Sequence, residues 1–171
     1  MSKPVIFLDI DGVIHAAGKD SGCWVERREH IAEKLAEQYR NPVYLKLGDN
    51  LCSQVLDAFR LEACRDIESL CHEFDASVVI SSSWRIFHSL EELQALFQLA
   101  GITHVTDVCP KGYVRRDTIS RYVKDNRIES YIVIDDMDLK QVFGYRCIHT
   151  PSGFEKEHYL KARNALQCQT R

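Results

Sequence analysis

Three short apolar runs in the chain end in side chains able to take part in phosphorus chemistry. Val5-Ile6-Phe7-Leu8 leads into Asp9-Ile10-Asp11-Gly12, Val78-Val79-Ile80 into Ser81-Ser82-Ser83, and Tyr131-Ile132-Val133-Ile134 into Asp135-Asp136. Continuous apolar runs of this length suit strands buried on both faces, as in a parallel sheet. The carboxyl ends of such a sheet share one edge, where ligand crevices form. The groups that follow the three runs are therefore expected to converge, although they lie far apart in sequence. Gathered carboxylates repel and raise one another's pKa, and a hard divalent cation relieves that repulsion. An oxygen-only donor set favours Mg²⁺ over zinc. Its candidate ligands are Asp9, Asp11, Asp135 and Asp136.

A carboxylate can attack phosphorus to give an aspartyl phosphate. A second carboxyl can protonate the leaving oxygen and later activate water. Residues two apart on a strand point to the same side, so Asp9 and Asp11 could address one substrate atom if the strand extends that far. Gly12 permits the tight turn that must follow. A hydroxyl from Ser81 or Ser82, with a cation near the phosphoryl oxygens, would stabilise the charge that develops.

The elements that must position these groups alternate along the chain. Helical periodicity is read over 25–39, stopped by Asn41-Pro42, and again over 53–74; a short strand is expected at 43–47 and a turn at 48–50. Ser89 with Glu92 reads as a capping box opening a helix that stops at Gly101. A weak strand follows at 102–108, a helix at 117–124, a last short strand at 146–149 and a closing helix at 154–166. Strands alternating with helices predict an α/β class domain with a mainly parallel sheet. Residues 13–51 fit no part of that alternation and read as a small cap-like insertion within one domain spanning 1–171.

At 171 residues the chain suits one domain with a real core, and its 45% apolar and 27% charged residues are ordinary globular usage. A net charge of −3 gives no long-range attraction to nucleic acid or an anionic membrane. The apolar run after Pro4 is too short for a signal peptide or a membrane span. Seven cysteines without close pairing read as reduced thiols of a cytoplasmic protein. Cys64 and Cys71 fall on one helix face and are expected to pack in the core.

Asp9-Ile10-Asp11-Gly12-Val13 resembles the first motif of the haloacid dehalogenase-like (HAD) superfamily, and Ser81/Ser82 its second. Arg115, just ahead of the helix carrying Ile119, resembles the basic third motif, and Asp135-Asp136 the acidic fourth. The order matches that of the superfamily. Ser81-Ser82-Ser83-Trp84-Arg85 together with the first motif is also similar to a small bacterial HAD group linked to nucleic-acid repair.

The resemblance implies a three-layer Rossmann-like core and a Mg²⁺-dependent phosphatase. Asp9 would be its nucleophile and Asp11 its general acid and base. Ser81 or Ser82 and Arg115, rather than Arg116 or Lys111, would hold phosphate. The metal would be held by the Asp11 main-chain carbonyl and by Asp135 or Asp136. The implied substrate is bulky: a phosphorylated protein such as a phosphotyrosine target, or else a polynucleotide end. A non-catalytic phosphate-binding domain or a receiver-like domain is the reading of a different class, the receiver needing Asp107 as its phosphoacceptor. Trp84 reads as packing rather than a substrate platform, His15 as a loop residue rather than one facing the substrate, Arg85 as either a salt-bridge or a phosphate residue, and Asp138 as either a cap or a metal neighbour.

Overall fold

The computed structural model describes residues 3–15 and 28–169. Its apolar runs form the strands β1 (Val5–Leu8), β2 (Ser77–Ile80), β3 (Val105–Val108), β4 (Tyr131–Asp135) and β5 (Cys147–His149). All pair in parallel, in the order β3-β2-β1-β4-β5. β1 is central, and the order reverses beside it, the place where open α/β sheets form their crevice. Register then aligns the chemistry. Leu8 lies opposite both Ile80 and Ile134, which brings Asp9, Ser81 and Asp135 level at the carboxyl edge. The Asp9 amide donates to the Ile134 carbonyl and the Ser81 amide to that of Leu8, each at 3.0 Å.

Alternate strand residues feed two apolar layers. Ile6, Leu8, Val78, Ile80, Ile132 and Ile134 pack against the helices α3 (Leu61–Phe74), α5 (Leu90–Leu99) and α8 (Lys156–Gln169). Val5, Phe7, Val79 and Val133 pack on the other face against α6 (Arg115–Asp125) and α7 (Lys140–Phe143). The expected three-layer Rossmann-like α/β architecture is thus present. Cys64 and Cys71 are both buried in α3, where burial pushes each thiol up to about 12.

The helices α1 (Ile31–Tyr39) and α2 (Val43–Ala58) share a smaller cluster with α5, built on Ala32, Leu35, Tyr44, Cys52 and Ala95. The Tyr44 hydroxyl donates to the Ala95 carbonyl at 3.0 Å, and Lys46 reaches Glu92 at 2.8 Å. Glu92 also closes the expected capping box with Ser89.

Residues 43–47, expected as a strand, are instead the start of α2. Pro42 suits a helix start, and the Asn41 side chain accepts from the Val43 amide at 3.0 Å. Gly48, with φ 76°, kinks this helix where a turn was expected. The helix expected over 53–74 is two helices. Phe59 is extended between them, and the Arg60 amide donates to the Ile14 carbonyl at 2.7 Å. Pairing with the loop after β1 replaces helical bonds there. The helix expected from residue 25 begins at Ile31, and its first three positions lie outside the described residues, as does Cys23. No helix among the described residues is long and apolar enough to cross a membrane.

Candidate active site

β1 ends at Leu8, so strand geometry does not carry through to Asp11 and the two aspartates have different partners. Asp9 is 2% exposed and Asp135 wholly buried. Arg115, the first residue of α6, reaches between them, with Nη1 2.7 Å from an Oδ2 of each. Burial raises the pKa of Asp9 against the pull of Arg115, the Ile10 amide and the Ser82 hydroxyl. Burial likewise pushes Asp135 up to about 6, with the Asp9 charge adding to it and Arg115 opposing. For Arg115 itself burial works against the charge, but the two carboxylates outweigh it and raise its pKa.

Two buried oxygens here lack a protein hydrogen-bond partner, Asp9 Oδ1 and Ser81 Oγ. Uncompensated buried polar atoms are costly, which marks a place for a ligand. One carboxylate oxygen each from Asp9, Asp135 and Asp136 lie within 4.8 Å of one another. That oxygen-only set, with Asp9 Oδ1 still free, fits a hard divalent cation. Gly12 is required beside it for two reasons: its φ is 78°, and a Cβ would come 2.6 Å from Asp136 Oδ2.

The Asp11 carboxylate is held on the other side. His15 Nδ1 lies 2.9 Å from Oδ1, and Trp84 Nε1 donates to Oδ2 at 2.9 Å. The His15 contact, with Trp84 adding to it, holds Asp11 below the usual carboxylate range despite partial burial. Gln54 Nε2 stands 3.2 Å from His15 Nε2. A carboxylate can only accept, so His15 donates Nδ1–H to Asp11, and Gln54 meets the other ring nitrogen. The loop closes on its own backbone: the amides of Val13, Ile14 and His15 all donate to the Ile10 carbonyl, and the Gly12 amide donates back to that of His15.

The structure therefore brings together Asp9, Arg115, Asp135 and Asp136, with Ser81 and Ser82 buried at the adjoining strand end. The Asp11 side chain is not among the clustered carboxylates. Lys111 is exposed, and Arg116 turns to Asp117 at 3.3 Å; neither enters. Asp138 caps α7 by accepting from the Lys140 amide. Arg85 is a clamp, its guanidinium donating to the carbonyls of Ser81, Ser82, Pro110 and Gly112.

The roles of His15, Gln54 and Trp84 around Asp11 were missed from the sequence; the only trace was the four-residue spacing of Asp11 and His15. A second donor group, Glu68, Cys71 and His104, lies away from this edge. Glu68 there accepts from Thr103 and pairs with His104, tying α3 to the start of β3.

No curated protein and no solved structure matches the chain. A family model described as the HAD domain in Swiss Army Knife RNA repair proteins matches residues 5–159. That span takes in every strand and all four groups of site residues, and the chain belongs to this HAD family.

Proposed function

We propose that the chain is a Mg²⁺-dependent phosphomonoester hydrolase that works through an aspartyl phosphate on Asp9 and takes a phosphorylated polynucleotide end. The observation that carries this reading is Asp9 itself: a buried carboxylate held by Arg115, with its second oxygen unpartnered at the edge of a parallel sheet. The description of the family supports a nucleic-acid end over a phosphotyrosine protein. The free buried thiols among the described residues suit a reducing cytoplasm.

Asp9 attacks phosphorus and the ester oxygen leaves, taking a proton from Asp11. Water then attacks the acyl phosphate, gives its proton to Asp11, and frees Asp9 and inorganic phosphate. At rest Asp11 is held as a carboxylate, the form that activates water. A doubly charged phosphate arriving beside it raises its proton affinity. Asp11 therefore takes from solvent the proton it gives in the first step, and releases to solvent the one it gains from water once phosphate has left. Arg115 and a serine hydroxyl offset phosphoryl charge. Asp9, Asp135 and Asp136 would hold Mg²⁺, with the Asp11 main-chain carbonyl, and the ion supplies positive charge against the phosphoryl oxygens.

Phosphate release from 3′- and 5′-phosphorylated oligonucleotides, phosphotyrosine and phosphoserine peptides, sugar phosphates and p-nitrophenyl phosphate tests this. A preference for a phosphopeptide would replace the polynucleotide reading, and no Mg²⁺-dependent release from any of them would overturn the hydrolase.

Asp11→Asn is expected to slow alkyl esters about a hundredfold or more, the usual worth of general acid–base catalysis, and p-nitrophenyl phosphate much less in the first step. Phosphoenzyme should accumulate with the activated ester, read by acid quench. His15→Ala should show the same leaving-group dependence at about tenfold, because it loosens Asp11 without removing it. A uniform loss across leaving groups would show His15 to be structural only.

Mg²⁺ should also stabilise the fold in a pH-dependent way. The Asp135 pKa is raised in the folded protein, so its protonation contributes stability that is full below the unfolded carboxylate range and lost as pH rises to about 6. Mg²⁺ must displace that proton. The gain in melting temperature from Mg²⁺ over EDTA should be large above pH 6 and shrink below it. A pH-independent gain, or one retained in Asp135→Asn, would remove Asp135 from the metal site.

A further inference from the structure

Two aromatic side chains stand exposed on the segments that follow β2 and β3. Tyr113 is fully exposed at 103% and Phe87 is 80% exposed, flanked by the half-exposed Val114 and Ile86. Both belong to the carboxyl edge of the sheet. Phe87 closes the short helix α4 (Trp84–Phe87), whose first residue holds Asp11. Tyr113 lies on the loop after β3, two residues ahead of Arg115, so their Cα atoms are within about 7 Å. β2 and β3 are parallel neighbours, and the Arg85 clamp ties α4 to this loop through the Pro110 and Gly112 carbonyls. The two rings are therefore carried by two segments joined through Arg85, one holding Asp11 through Trp84 and the other leading into Arg115. Lys111 is exposed on the same loop.

We propose that Tyr113 and Phe87 are stacking platforms for the terminal bases of a single-stranded polynucleotide whose end phosphate is presented to Asp9. This rests on the phosphatase reading of the same site and extends it to how the strand is held. Exposed rings next to a phosphate site carry a hydration cost that a stacked base removes. Every base offers a π face, so such a platform binds an end without reading its sequence. Stacking also accounts for a net charge of −3 in a chain acting on a polyanion. Recognition that relies on rings rather than on a basic surface needs few phosphate contacts and has a shallow salt dependence.

The test compares kcat/KM for a phosphorylated oligonucleotide with that for p-nitrophenyl phosphate in the wild type, Tyr113→Ala, Phe87→Ala and the conservative Tyr113→Phe. The oligonucleotide-to-nitrophenyl ratio should fall about tenfold in each alanine variant, chiefly through KM, and be kept in Tyr113→Phe. An oligonucleotide with an abasic terminal residue should lose the same preference on the wild-type enzyme. A ratio unchanged in folded alanine variants overturns the platforms while leaving the polynucleotide reading standing. A wild type that cleaves p-nitrophenyl phosphate or a phosphopeptide but no oligonucleotide overturns the polynucleotide reading, and the platforms with it.

Discussion

Asp9→Asn is expected to lower phosphate release by about ten-thousandfold or more, the scale on which removal of a nucleophile is felt, while the protein stays folded. The amide keeps the shape of the side chain but cannot form the acyl phosphate. Its effect on stability should be small and can be of either sign. The variant removes a buried charge whose ionisation burial already opposes, and Arg115 keeps Asp135 as a partner at 2.7 Å. The check pairs a phosphate assay with a thermal melt. Undiminished turnover in a folded Asp9→Asn protein would end the covalent mechanism.

Arg115→Ala should fail in a different way. The guanidinium is the cation shared by two buried carboxylates, and breaking such a pair leaves uncompensated charge in a dry place. The expected loss is about 3–5 kcal/mol in EDTA, with activity falling by about a thousandfold. Both carboxyls have raised pKa values, so they neutralise readily and the stability loss should shrink as pH is lowered. Mg²⁺ should restore more stability to this variant than it adds to the wild type. Arg115→Lys keeps a cation on a shorter side chain, and because one nitrogen makes both contacts it should recover much of the fold and part of the rate. Urea denaturation in EDTA and in Mg²⁺ reads all of this; equal stability of Arg115→Ala and wild type in EDTA would refute the bridging role.

The reacting edge was legible in the sequence because three apolar runs ended in acid or hydroxyl groups, and a parallel sheet places such ends together. Arg115 could be assigned only through resemblance to a known motif order, since an arginine at a helix start has no periodic signature of its own. The surroundings of Asp11 were not legible. His15, Gln54 and Trp84 meet there because a loop closes on the Ile10 carbonyl and α2 and α4 come in from either side, a tertiary event that local pattern does not encode. Residues 43–47 misled for a related reason. Five residues with Val43, Leu45 and Leu47 alternating look like a strand, but the Pro42 start, the Asn41 contact with the Val43 amide and the packing of Tyr44 on α5 make them helical.

His15, the last described residue after β1, forms an antiparallel bridge with Phe59, the first residue after α2. The chain thus returns at Phe59 to the point it had reached at His15, and the helices α1 and α2 lie between these two joined ends. Closing a longer or shorter loop across fixed ends changes its entropy only slowly with length. The α1–α2 segment can therefore vary in length between its anchors, which are Tyr44, the Lys46–Glu92 pair, Val55 in the main core and the Gln54 contact with His15. A descendant of this fold could exchange it for another segment and acquire a new clientele while every group that touches phosphorus stayed where it is. Two requirements would be retained: an apolar side chain in the place of Val55 and a polar one in the place of Gln54 to meet the imidazole of His15.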